Sequence, residues 1–210
     1  MLVHGGRDHA RSWDWVARAL RDRYHVVAPD LRGHGDSAWA IGSNYPHYEF
    51  VYDLAQLFDI VAPGDAPLTA IGHSFGGALL TTYAASYPKR FAKLVNVEGF
   101  GPPPELVSRW SGTPMHEQMR TWIEQLRALA ARQPRRYASS DDAAARMKQE
   151  NPSLSAEQAE HLTVHGVARN EDGTYSWKFD NYFRSFPPRV WSPNALVETG
   201  QQLACPTPLV

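Results

Sequence analysis

Short β-branched runs alternate with amphipathic stretches through the first hundred residues. Tyr24-His25-Val26-Val27-Ala28-Pro29 predicts a strand ending at Asp30, Leu68-Thr69-Ala70-Ile71-Gly72 a second, and Phe91-Ala92-Lys93-Leu94-Val95-Asn96-Val97 a third. The apolar run Met1-Leu2-Val3 predicts a further short strand leading into His4. Trp13, Val16, Ala17 and Leu20 recur at helical spacing behind Ser12, a residue type that caps helices. Val51, Leu54, Leu57, Phe58 and Val61 mark one side of a helix over 48–61, and an Ala- and Leu-rich helix runs over 76–87 until Pro88 stops it. Strands alternating with helices imply right-handed crossovers and a mainly parallel sheet with helices on both faces, the α/β class. Ligands on such sheets bind beyond the carboxyl ends of the strands, where Asp30, Ser74 and Glu98 all fall.

The pattern changes at Gly101-Pro102-Pro103-Pro104. Helical periodicity then dominates, with helices predicted over 115–131, 141–150 and 155–165, followed by an aromatic stretch holding Trp177, Phe179, Tyr182 and Phe183. The expected organisation is a first core portion over 1–101, a mostly helical cap or lid over 102–193, and a return to the core over 194–210. That return comprises a short helix over 196–203 and a strand at Pro206-Thr207-Pro208-Leu209-Val210.

Composition narrows the function classes. A hydrophobic content of 43% excludes a disordered chain, and 21 basic against 22 acidic residues give no electrostatic footing for nucleic acid or an anionic membrane. The single cysteine, Cys205, excludes an internal disulfide and a cysteine-based zinc site, and no metal site is expected. No apolar run reaches membrane-spanning length and no leader pattern opens the chain, so the expected setting is cytoplasmic.

Chemistry concentrates at Gly72-His73-Ser74-Phe75-Gly76. A nucleophilic serine must project from a strained strand-to-helix turn, and small residues two positions before and after it let the backbone pass. Gly72 and Gly76 stand at those offsets, a strand precedes them, and a helix follows. His4-Gly5-Gly6 ends the first short strand, where a glycine pair lets the backbone turn its amides toward a ligand. The N–H groups of Gly6 and Phe75 are therefore the expected oxyanion donors, with His4, Gly5, Asp30, Gly72, His73 and Gly76 as supports. Each of the nine histidines also reads as a structural or solvated residue; His165, just before Gly166, is the one in the cap placed to reach down over the site.

Taken together, His4-Gly5-Gly6, Asp30-Leu31-Arg32-Gly33-His34-Gly35-Asp36-Ser37 and Gly72-His73-Ser74-Phe75-Gly76-Gly77 resemble the α/β-hydrolase fold superfamily, in its capped serine-hydrolase form. The resemblance covers 1–101 and about 194–210. It implies a cofactor-free hydrolase acting on a small molecule, an ester or a related acyl or carbon–carbon bond, through an acyl-enzyme; the aromatic stretch around Trp177, Phe179, Tyr182 and Phe183 favours an apolar or aromatic ester. In that family the acid follows the late strand and the histidine comes later still, and neither position falls within these residues. The chain is accordingly expected to be truncated at both ends, weakly active or inactive alone, and open to self-association through its sheet edges. Glu98 stands where some members, such as haloalkane dehalogenases, carry their acid; the alternative is a glutamate steadying the start of the cap. Two other functions stay open: a non-catalytic ligand-binding protein on the same fold, and a cofactor-free perhydrolase or haloperoxidase-like enzyme.

Overall fold

Three parallel strands organise the first half of the chain: β1 (Leu2–Val3), β2 (Leu68–His73) and β3 (Phe91–Val97), in the order β1-β2-β3. The computed structural model describes all residues except 43, 65, 100, 102–103, 186–187 and 189–194. Register aligns Val3 with Gly72 and Gly72 with Asn96, so the carboxyl ends of all three strands open at one edge. Leu79, Leu80 and Leu94 are fully buried in the core beside Phe58, each side chain contributing about 1.5–3 kcal/mol through removal from water.

Two helices position the site. The helix α2 (His47–Val61) buries Phe50, Leu54 and Phe58, and α3 (Phe75–Ser86) buries Leu79, Leu80 and Tyr83. The buried Arg90 closes the end of α2, donating to the carbonyls of Phe58 at 3.3 Å and Ala62 at 2.8 Å. The Phe58 carbonyl also accepts the Ala62 N–H at 2.9 Å, so Arg90 adds a second bond there and fastens the end of the helix.

The sequence expectations depart from the structure in three places. Residues 24–29 form no strand, and among the described residues Val27 alone of them bonds to β1, accepting the Leu2 N–H at 2.9 Å. The two residues of β1 offer little to pair with, and Pro29 carries no donor. Second, Ser12 does not cap a helix. It lies inside a 3₁₀ turn (Ala10–Trp13), donating to the His9 carbonyl at 2.8 Å, and α1 (Asp14–Leu20) starts behind Trp13. Third, the closing segment lies parallel beside β3 without becoming a full strand. Leu94 and Asn96 donate to Pro206 and Pro208 at 3.1 Å, but the two prolines cannot donate in return.

Between β3 and that segment lie α4 (Pro104–Gly112), α5 (Met115–Ala130), α6 (Ser140–Glu150) and α7 (Ala156–Gly166). Ser155 and Gln158 form a reciprocal capping box on α7. The sequence reading missed α4. It also missed the antiparallel hairpin of β4 (Val167–Arg169) and β5 (Tyr175–Trp177), whose second strand begins the aromatic stretch. A 3₁₀ turn (Asn181–Arg184) and α8 (Ala195–Gln201) follow. The expected unit boundaries at 101/102 and 193/194 fall at residues outside the described set. This insertion is tied to the core by the Asp180 N–H on the Gly33 carbonyl at 2.9 Å, the Tyr45 hydroxyl on Asp180 at 2.7 Å, and Lys178 on Asp36 at 2.7 Å. Among the described residues no helix is long and apolar enough to cross a membrane.

Candidate active site

The turn from β2 to α3 holds Ser74 at φ 49° and ψ −115°, a conformation that L-residues other than glycine seldom adopt. Strain of this kind costs about 1–3 kcal/mol and persists only where the surroundings impose it. They do so through the flanking glycines. A Cβ on Gly72 would lie 2.7 Å from the Gly76 carbonyl, and one on Gly76 would lie 2.6 Å from the His4 carbonyl oxygen. The strand and helix therefore approach more closely than any side chain permits, and the turn between them is forced sharp. The Ser74 N–H donates to the Val97 carbonyl at 2.7 Å, which fixes the turn to β3. The Ser74 side chain stays partly exposed.

The His-Gly-Gly loop is held from beneath. His4 is fully buried; its Nδ1 donates to the Gly5 carbonyl at 2.7 Å, and its Nε2 accepts the Leu31 N–H at 2.9 Å. Both roles require the neutral ring, and burial above all lowers its pKa. Asp30 binds the same region together: its two carboxylate oxygens accept the Ala10 N–H at 2.7 Å and the Asp36 N–H at 2.9 Å. Arg32 anchors the following loop on α2 through Asp53 and Glu49. No hydrogen bond engages the Gly6 amide among the described residues. Phe75 opens α3, so its amide stands at the positive end of a helix dipole.

Phe183 completes this wall. It is 6% exposed, its ring centroid lies 5.1 Å from that of Phe75, and a Cβ on Gly6 would come within 2.7 Å of its Cε1. A residue from beyond the cap helices thus touches both expected oxyanion donors. The aromatic richness of its stretch was the only sequence signal of this contact. A cavity beside the loop is lined by Arg7, His9, Leu162, Trp177 and Phe179 among others, and Ser74 does not line it.

The histidines lie elsewhere. Among the described residues none hydrogen bonds to Ser74. His73 Nε2 lies 3.8 Å from Glu98 Oε2, and Glu98 itself adopts φ 55° with 76% of its side chain exposed. His34 packs against His4 and Phe183. His165, expected over the site, stands instead beside His161 and Asp14, because α7 packs against the 3₁₀ turn (Ala10–Trp13) that leads into α1. Partial burial, with Arg11 next, lowers its pKa. Asn96 is a support that sequence reading missed. It is buried, accepts the Gly99 N–H at 2.8 Å and donates to Thr81 at 2.9 Å, which shapes the chain on either side of Glu98.

The site is thus a strained serine between a strand of a parallel sheet and the helix that follows it. The family model for the alpha/beta hydrolase fold matches residues 1–206. The chain belongs to the α/β-hydrolase family. The lipase LipV of Mycobacterium tuberculosis is 40% identical over 99 residues, 45% of this chain and 34% of its own length. The chain thus matches about a third of that curated relative. Among solved structures, the M. tuberculosis esterase Rv0045c aligns with a TM-score of 0.75 at 25% identity, covering 99% of this chain and 65% of the esterase. The thioesterase domain from the curacin biosynthetic pathway aligns with a TM-score of 0.78 at 28% identity, covering 99% of this chain and 71% of the domain. Relatives of this α/β-hydrolase-fold chain therefore include a lipase, an esterase and a thioesterase domain.

Proposed function

We propose that this α/β-hydrolase is a serine hydrolase cleaving esters or thioesters of apolar acyl groups, with Ser74 as nucleophile and the amides of Gly6 and Phe75 as oxyanion donors. The observation that carries the reading is the φ of 49° at Ser74, enforced by glycines on both sides. The Ser74 oxygen attacks the substrate carbonyl carbon and its proton passes to a base. The carbonyl oxygen takes the negative charge between the two amides. Collapse of this intermediate expels the alcohol or thiol, which takes up the proton, and water then hydrolyses the acyl-serine to acid and free serine. One well-placed oxyanion donor is worth about 3–4 kcal/mol of barrier. Glu98 is the acid candidate, and His73 Nε2 lies 3.8 Å from its carboxylate.

The 210-residue chain by itself is proposed to react slowly, because no described histidine meets Ser74. Loss of the base costs serine proteases about 10⁶-fold in rate. Labelling with a fluorophosphonate tests both parts. Slow labelling at Ser74, abolished in Ser74→Ala, is expected. Labelling that persists in Ser74→Ala, or none after prolonged exposure, overturns the nucleophile. Fast stoichiometric labelling at Ser74 overturns the claim of impaired reactivity.

A further inference from the structure

Away from Ser74, the fold brings three metal-ligating side chains together where α7 meets the start of α1. Asp14 is the first residue of α1, and His161 and His165 stand one turn apart on α7, so both project from one face. Asp14 Oδ2 lies 3.3 Å from His161 Nε2. The two imidazoles are 4.7 Å apart between centroids, and one ligand atom from each of the three residues lies within 4.8 Å of the others. Ligands about 2.0–2.1 Å from a tetrahedral metal are separated by about 3.3–3.4 Å. The Asp14–His161 pair already stands at that separation, and a shift of about 1.5 Å or less closes the rest, within the reach of side-chain rotation.

We propose that Asp14, His161 and His165 bind a transition-metal dication of the zinc type, linking the cap helix α7 to the core helix α1. Two imidazole nitrogens and one carboxylate select zinc, cobalt or nickel over magnesium and calcium, which require oxygen-rich shells. Three protein ligands leave the fourth position to water. The side chains of Asp14 and His161 are 18% and 17% exposed, enough for a hydrated ion to reach them. Trp15 packs edge-on against His161 at 4.5 Å and holds its ring in place.

Arg11 is the built-in competitor. Its guanidinium donates to both Asp14 oxygens at 2.6–3.0 Å, and metal at His161 Nε2 replaces the contact of that nitrogen with the Arg11 carbonyl at 3.2 Å. Half of the Arg11 side chain is exposed, so the pair carries little stability, and a carboxylate retains further lone pairs beside an arginine. The proposal departs from the sequence expectation of no metal, since only the folded chain joins Asp14 to the histidine pair.

The test titrates the full 210-residue chain with Zn²⁺ by calorimetry and with Co²⁺ by visible absorption. One saturable site is expected, with a raised Tm, the absorption bands of low-coordinate cobalt, and no displacement by excess Mg²⁺. His165→Ala and Asp14→Asn should each weaken binding by about tenfold or more while leaving the metal-free circular dichroism unchanged. Arg11→Ala should tighten it. Unaltered affinity in both ligand variants, or no saturable binding by the parent chain, overturns the site. If His165→Ala fails to fold, the near-isosteric Asp14→Asn decides alone.

Discussion

Acid should destabilise the layer beneath the His-Gly-Gly loop, and His34 sets the size of the effect. His34 is fully buried against His4 and Phe183. Its Nδ1 donates to the Arg32 carbonyl at 2.9 Å, and its Nε2 has no partner among the described residues. A proton added at Nε2 would be an unpaired buried charge. Burial is the main cause that pushes its pKa down to about 4 from 6.5, and the neighbouring His4 acts in the same direction. The unfolded chain therefore takes up this proton near pH 6.5, whereas the folded chain resists it until about pH 4. Between those values the unfolded state holds more protons, so stability falls as pH falls, and the loss levels off below the folded pKa. The gap corresponds to about 3 kcal/mol in total. Urea unfolding across this range, for the parent chain and for His34→Leu, isolates the contribution. The variant loses the bond to Arg32, about 1 kcal/mol, and should be the less stable protein above neutrality. It lacks the titration, so the two stability curves should cross, with the variant more stable by about 1–2 kcal/mol as the pH nears the folded pKa. His4 is retained in both proteins, so only its coupling to His34 enters the difference. Parallel pH profiles at constant m-value would refute the assignment of a neutral, unpartnered His34.

Two further changes probe the elements that shape the site. Gly76→Ala places a Cβ 2.6 Å from the His4 carbonyl oxygen, on backbone that cannot rotate away. It should cost about 3 kcal/mol in urea unfolding and slow fluorophosphonate labelling of Ser74 together; an equally stable, equally reactive variant would contradict the enforced-turn argument. Tyr45→Phe removes a buried hydroxyl that donates to Asp180 at 2.7 Å and accepts the Ala40 N–H at 3.0 Å. Breaking a bond to a buried carboxylate costs about 1.5–3 kcal/mol, so a loss below about 0.5 kcal/mol on thermal unfolding would show Asp180 to be satisfied without it.

Local chemistry was legible where local chemistry decides. The Gly72–Gly76 turn follows from a strand, a helix and two residues without side chains, all within ten positions. The Phe91–Val97 strand and the helices α5, α6 and α7 likewise follow from short-range periodicity. What escaped depends on contacts between distant segments. Residues 24–29 carry a strand-like sequence, yet a two-residue neighbour leaves them with one bond to the sheet. Pro206 and Pro208 read as a strand in an apolar run and lose half of their pairing to the missing N–H groups. Ser12 has the right chemistry for a cap, but the chain turns 3₁₀ before the helix starts, so its hydroxyl meets the His9 carbonyl instead. No spacing rule brings His161 and His165 to Asp14, or Phe183 to Gly6.

The last of these contacts bears most on function. The expected oxyanion donors sit on two separate loops, one after β1 and one opening α3, so neither strand fixes their relative position alone. His4 and Asp30 hold the first loop from below, and the glycine-forced turn holds the second. Phe183 spans the two from above, buried against Phe75, Phe50 and His34 at ring separations of 4.5–5.9 Å. Its turn is fixed by Asp180, which accepts the Tyr182 N–H at 3.0 Å and the hydroxyl of Tyr45. A displacement of the segment after the cap helices must therefore either carry Asp180 away from a buried tyrosine or tear Phe183 from the aromatic cluster. Both contacts are buried, so the wall over Gly6 and Phe75 is held at two points by the core itself.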